Sequence, residues 1–273
     1  METALSVLKS SITIMIPIFF ASAGGLFPAL AGTLNIALEG LLLAGAFSSL
    51  TVFYFTGNAI VSIFCAIFAS LLLSALLSLG IKLRSNIFIC GLAINLFSGG
   101  ICIILSDKIF STKGVVAAAA GTDLLIWYII LGLLLLLISW LVIYRTPFGY
   151  RLRACDKNKK ALISLGINPV KYQITAILIS GFFCGIGGSF LSLNIGAFVP
   201  GMSAGKGWIA LAVIFLGIKK PFGILIASFI FALAESFSNY AQGFWNIPAD
   251  FILAIPFVCS LVVMVLVSFV KKG

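Results

Sequence analysis

The sequence contains no histidine. Without an imidazole, and with six cysteines (Cys65, Cys90, Cys102, Cys155, Cys184, Cys259) that form no CxxC pair, no soft-metal site is expected. The cysteines read instead as small apolar fillers. Charge is nearly as scarce, at 9% of residues, and the chain has seven carboxylates: Glu2, Glu39, Asp107, Asp123, Asp156, Glu235 and Asp250. They form no close cluster suited to metal-assisted or acid–base chemistry, so an intramembrane transferase ranks last among the functions considered. Long polar stretches are missing too, with one exception at residues 145–171.

What fills the chain is apolar. A hydrophobic content of 62% and a mean hydropathy of +1.26 override the one or two soluble domains that 273 residues would otherwise suggest. The expected fold class is all-α, a polytopic membrane helical bundle forming a single transmembrane domain over residues 1–273. The net charge of +10 does not point to nucleic acid, because the cations sit in short loops between apolar runs.

Lys9, the apolar run from Ile12 and the small residues Ala21-Ser22-Ala23 resemble a signal peptide. The run continues to Ala31, however, and a retained first span is expected, with Gly24, Gly25 and Pro28 breaking or kinking it. Further spans are expected at Leu34 to Phe55, Asn58 to Gly80, Ile87 to Ser106, Leu124 to Tyr144, Tyr172 to Asn194, Phe222 to Gln242 and Ile247 to Val270. Residues Trp208 to Ile218 are too short for a straight crossing at about 1.5 Å per residue, so this segment starts earlier or is re-entrant. The expectation is about nine spans, within a range of eight to ten, with an external N-terminus. In that arrangement Lys9, Lys108, Lys113 and Lys206 lie outside and all other cations lie inside.

Residues 145–171 hold seven of the 17 cations, namely Arg145, Arg151, Arg153, Lys157, Lys159, Lys160 and Lys171, which sets this segment in the cytoplasm. Pro147 and Gly149 predict a turn. Tyr150 to Leu165 has helix-compatible composition, Gly166 is a cap, and Asn168-Pro169 ends the helix.

Two carboxylates, Glu39 and Glu235, fall inside apolar runs, where an ionisable group is expected to face a cavity or a partner. Helical spacing collects Gly32, Asn35, Ala46 and Ser49 around Glu39, and Ser228, Asn239 and Gln242 around Glu235. In the fourth span Gly91, Asn95, Ser98 and Cys102 align in the same way. Such stripes mean either helix packing or a solute pathway, and packing is the preferred meaning for the fourth span. The candidate pathway residues are Asn35, Glu39, Asn95, Glu235 and Asn239. Gly181 and Gly185 form a GxxxG spacing, again read as packing. Gly201 to Gly207 fails as a phosphate loop, since Pro200 stands at the first required glycine and Gly207 follows the lysine.

Three ordered blocks carry a family resemblance. GTLNIALEGLLLAGAF (residues 32–47), TPFGYRLRACDKNKKALISLGINPVKYQ (146–173) and GMSAGKGWIALAVIFLGIKKPFG (201–223) resemble the permease subunits of ABC importers, in the branch carrying simple sugars, nucleosides and branched-chain amino acids. The nucleoside permeases are the most similar. The resemblance implies a multi-pass subunit of the bacterial inner membrane that is not itself an enzyme. It also implies a second permease, identical or paralogous, two ATPase subunits that carry ATP–Mg, and an extracytoplasmic solute-binding protein. It places a coupling helix at residues 156–166, and Arg151, Arg153, Asn158, Ala161, Leu162, Gly166 and Ile167 at the ATPase contact. Here the chain departs from the usual pattern, because a glycine, a proline and a second alanine would fall on Asp156, Lys159 and Leu162.

The resulting expectation is an importer permease for a small neutral solute, a nucleoside first and a monosaccharide next. Its neutrality rests on the absence of lysine and arginine from the assigned spans, which leaves nothing to meet a carboxylate. Branched-chain amino acids remain an alternative substrate, and a proton-coupled secondary transporter using Glu39 or Glu235 is the alternative of a different class.

Overall fold

The computed structural model describes residues 2–118 and 124–242. The helices are α1 (Glu2–Leu30), α2 (Leu38–Thr56), α3 (Ala59–Lys82), α4 (Ile87–Phe110), α5 (Leu125–Arg145), α6 (Pro147–Lys157), α7 (Lys159–Ser164), α8 (Pro169–Ile195), α9 (Lys206–Leu216) and α10 (Pro221–Gln242). Two short strands, β1 (Val116–Ala117) and β2 (Ala197–Phe198), pair antiparallel. Seven of the described helices are long and apolar enough to cross a membrane: α1, α2, α3, α4, α5, α8 and α10. The span expected at residues 247–270 lies outside the described residues.

Local signals set most boundaries. The side chains of Asn58, Asn86 and Asn168 accept from backbone N–H groups at the starts of α3, α4 and α8, and Gly57 and Gly196 close α2 and α8 in the left-handed conformation. α1, α2 and α8 are largely buried and form the centre, while α3, α4 and α5 expose mostly apolar side chains on the perimeter, as helices facing lipid do. The Gly181 and Gly185 spacing does serve packing, for both glycines lie against the backbone of α3.

Three local expectations are corrected. α1 is a continuous helix through Pro17, Gly24, Gly25 and Pro28, and the break comes after it, at residues 31–37. Gly24 and Gly25 lie directly against Phe183, Leu38 and Ile214, so their small size serves packing and not bending. Pro147 and Gly149 belong to helix α6, with Thr146 as N-cap and proline in the first turn.

Candidate functional site

At the basic end of the bundle, Gly149 lets α6 fold back against the carbonyls that end α5. Arg151 reaches the Tyr172 hydroxyl at 3.1 Å, and the Arg153 guanidinium lies over the rings of Tyr144 and Tyr150. Asn158 separates α6 from α7, so the expected single helix is two, and the expected coupling helix at 156–166 is divided between the end of α6 and the six residues of α7. Ala161 is exposed, whereas Leu162 is buried and anchors α7. Gly166 (φ +74) ends it in a Schellman motif, with Gly166 N–H donating to Ile163 O and Ile167 N–H to Leu162 O. Beside α7 a cleft of about 750 Å³ is lined by Arg84, Lys159, Gly166, Ile167 and Gln173, among others.

A second arrangement lies deep in the bundle. After α1 the chain climbs in non-helical form beside α8: Gln173 Nε2 donates to Ala31 O at 3.3 Å, and Asn35 Nδ2 to Ser180 Oγ at 2.5 Å. Ser180 is eleven residues into α8, about 16 Å from its start. Backbone groups freed by this break need partners in an apolar medium, and two asparagines supply them. Asn35 Oδ1 accepts from Ala37 N–H, while Asn95 accepts from Gly40 N–H and donates to Ile36 O, both at 2.8 Å. Asn35 and Asn95 therefore brace the break and the start of α2. Asn239, the remaining amide candidate, is exposed near the end of α10.

Glu39 acts elsewhere. Its carboxylate accepts from Gly205 N–H at 2.9 Å and Gly207 N–H at 2.7 Å, so it neutralises the positive end of α9. Gly207 makes this approach possible, since a Cβ there would collide with the Glu39 backbone. The neighbouring Lys206 is buried and donates from Nζ to Glu235 Oε1 at 3.1 Å. Glu235 is fourteen residues into α10, about 21 Å from its start, so the clasp sits well within the bundle. Its Oε2 is buried without a partner among the described residues.

Two expectations change here. Lys206 is not a solvated external cation but an interior residue, and α9 is a half-length helix that begins at this depth. Gly32 and Asn35 precede the first turn of α2 and do not share a helical face with Glu39, although Ser49 does lie on α2 and meets Ser192 of α8 at 2.6 Å. From the sequence Lys219 reads only as one of the inside cations, without a partner. It bridges Asp156 of α6 and the Ala29 carbonyl, a contact between segments that no local spacing reveals.

The described residues hold a basic segment at one end of the bundle and a clasped half-helix within it, and comparison with known proteins gives this arrangement a family. The chain is 30% identical to the guanosine ABC transporter permease protein NupQ of Bacillus subtilis, covering 94% of this chain and 89% of the relative. It is 27% identical to the nucleoside ABC transporter permease protein NupC of Lactococcus lactis, covering 92% and 88%. The solved structure described as PsaBC from Streptococcus pneumoniae in complex with Fab matches with a TM-score of 0.56 at 16% identity, over 93% of this chain and 89% of that one, a likeness of fold. The family described as branched-chain amino acid transport system / permease component matches residues 7–268. Because that match runs through the α1–α2 break, the basic segment and the α9 clasp alike, the chain belongs to this family of multi-pass ABC transporter permease subunits of the bacterial inner membrane, whose ATPase activity lies in a separate subunit.

Proposed function

We propose that the protein imports a small neutral, ring-shaped solute, with nucleosides as the substrate class and simple sugars or branched-chain amino acids as the alternatives. It works with a second permease, identical or paralogous, and receives solute from an extracytoplasmic binding protein. Two ABC ATPases carrying ATP–Mg bear on residues 145–171 from the cytoplasmic side, with Arg151, Arg153, Asn158, Ala161, Leu162, Gly166 and Ile167 at or behind the contact. ATP-bound and ATP-free partners favour different states of the permease, since a partner with equal affinity for both states shifts nothing.

The observation that carries the substrate reading is similarity to nucleoside permeases along nearly the whole chain. The charges inside the bundle support it, though by a different route from the absence of interior lysine. Lys206 is interior, but Glu235 engages it, and Glu39 fills the positive end of α9. A zwitterionic amino acid would have to displace one of these partners in a low-dielectric setting, at a cost a neutral solute avoids.

The test is competition in a reconstituted uptake assay, with unlabelled nucleosides, sugars and branched-chain amino acids at equal concentrations against labelled nucleoside. Inhibition by nucleosides is expected. Inhibition by the amino acids alone would overturn the neutral-solute reading.

A further inference from the structure

Three segments distant in sequence meet at the basic end of the bundle. Lys219 Nζ lies 3.5 Å from Asp156 Oδ2 and donates to the Ala29 carbonyl at 3.1 Å. Gly32, held at φ +73, presses on the same aspartate, for a Cβ there would stand 2.9 Å from Asp156 Oδ1. The end of α6, the break between α1 and α2, and the turn between α9 and α10 thus share one node.

We propose that the Asp156–Lys219 pair is the contact through which movement of the coupling segment reaches α9 and the α1–α2 break, a reading that rests on the importer function above. Asp156 occupies the last turn of α6, where the helix dipole disfavours an anion, so its place is not explained by α6 itself. Lys219 follows Ile218, and both residues are left-handed, at φ 51 and φ 54. Ile218 stands at the position where a Schellman motif usually carries glycine: its N–H donates to Phe215 O, and Lys219 N–H donates to Ile214 O. A β-branched residue is strained there, and such strain persists only where surrounding contacts hold it.

The pair itself is partly solvated, with side-chain exposures of 35% for Lys219 and 44% for Asp156. Exposed pairs of this kind add little to stability, so its position and not its energy is what matters. From this node α9 runs about 16 Å to the clasp made by Glu39 and Glu235. A short helix held at both ends passes a displacement at Lys219 to the interior.

The experiment uses the full transporter, permease with ATPase and binding protein, in proteoliposomes. Asp156→Ala, Asp156→Lys, Lys219→Asp and the exchanged double variant are compared for uptake and for ATP hydrolysis. Each single variant is expected to assemble and to lower uptake per ATP hydrolysed by about fivefold, a coupling loss of ordinary size. The double variant is expected to recover at least half of wild-type uptake, which two residues acting independently of each other would not produce. Wild-type uptake per ATP in Asp156→Ala, or a double variant no better than the product of the singles, overturns the proposal. Failure of the wild-type complex to link uptake to ATP would instead overturn the importer reading.

Discussion

Leucine in place of Glu39 keeps much of the side-chain volume but removes both acceptors that hold the Gly205 and Gly207 N–H groups. A buried donor left unsatisfied costs about 1–3 kcal/mol, a penalty that falls mainly on Gly207 because Gly205 is only half-buried, and glutamine offers one acceptor oxygen where the carboxylate offers two. The expected order of thermal stability in detergent is wild type, then Glu39→Gln, then Glu39→Leu. Equal melting temperatures for all three would show that the clasp is not structural. The sequence marked Glu39 and Glu235 by their depth in apolar runs, and it marked Asn35 and Asn95 as polar positions on apolar segments. What it did not show was their partners. Lys206 follows a glycine-rich stretch and precedes a short apolar run, and so reads as a loop cation; its burial depends on a carboxylate 29 residues away on another helix.

The coupling segment behaves differently at its two small residues. Ala161 is exposed on α7, so Ala161→Arg adds volume and charge to the outer surface without disturbing the permease core. Gly166 has open space around it but a left-handed backbone, so Gly166→Val strains the α7 terminus whether or not a partner is bound. Ala161→Arg is therefore expected to reduce ATPase association while leaving the melting temperature of the isolated permease unchanged, whereas Gly166→Val lowers both. Pull-down of the ATPase alongside thermal unfolding checks this, and normal association in Ala161→Arg would place the docking surface elsewhere. Nearby, burial pushes the Cys155 thiol pKa up despite Lys159, in keeping with a structural cysteine. At this scale the sequence disclosed a basic, helix-forming segment with a glycine cap. It did not disclose the division at Asn158, because nothing in the composition of residues 150–165 forbids one helix. The α1–α2 break was displaced for a related reason: glycine and proline inside an apolar helix mark close packing as readily as bending.

Across the whole molecule, hydropathy and the distribution of cations made the membrane class, the basic end and most spans readable, because lipid demands long apolar helices with satisfied backbone. The half-length α9 was readable only as a segment too short to cross. Its role emerges from two carboxylates on other helices and from Lys219 at its far end, relations that exist only in the folded chain. On the proposed function, ATP binding and hydrolysis by a partner that bears on residues 145–171 drive a nucleoside through this bundle. The most direct measurement is labelled-nucleoside uptake into proteoliposomes containing the complete complex, with ATP, with a non-hydrolysable ATP analogue, or with a proton gradient and no ATP. Uptake with ATP alone among the three is the predicted result, and uptake driven by the proton gradient without ATP would contradict it.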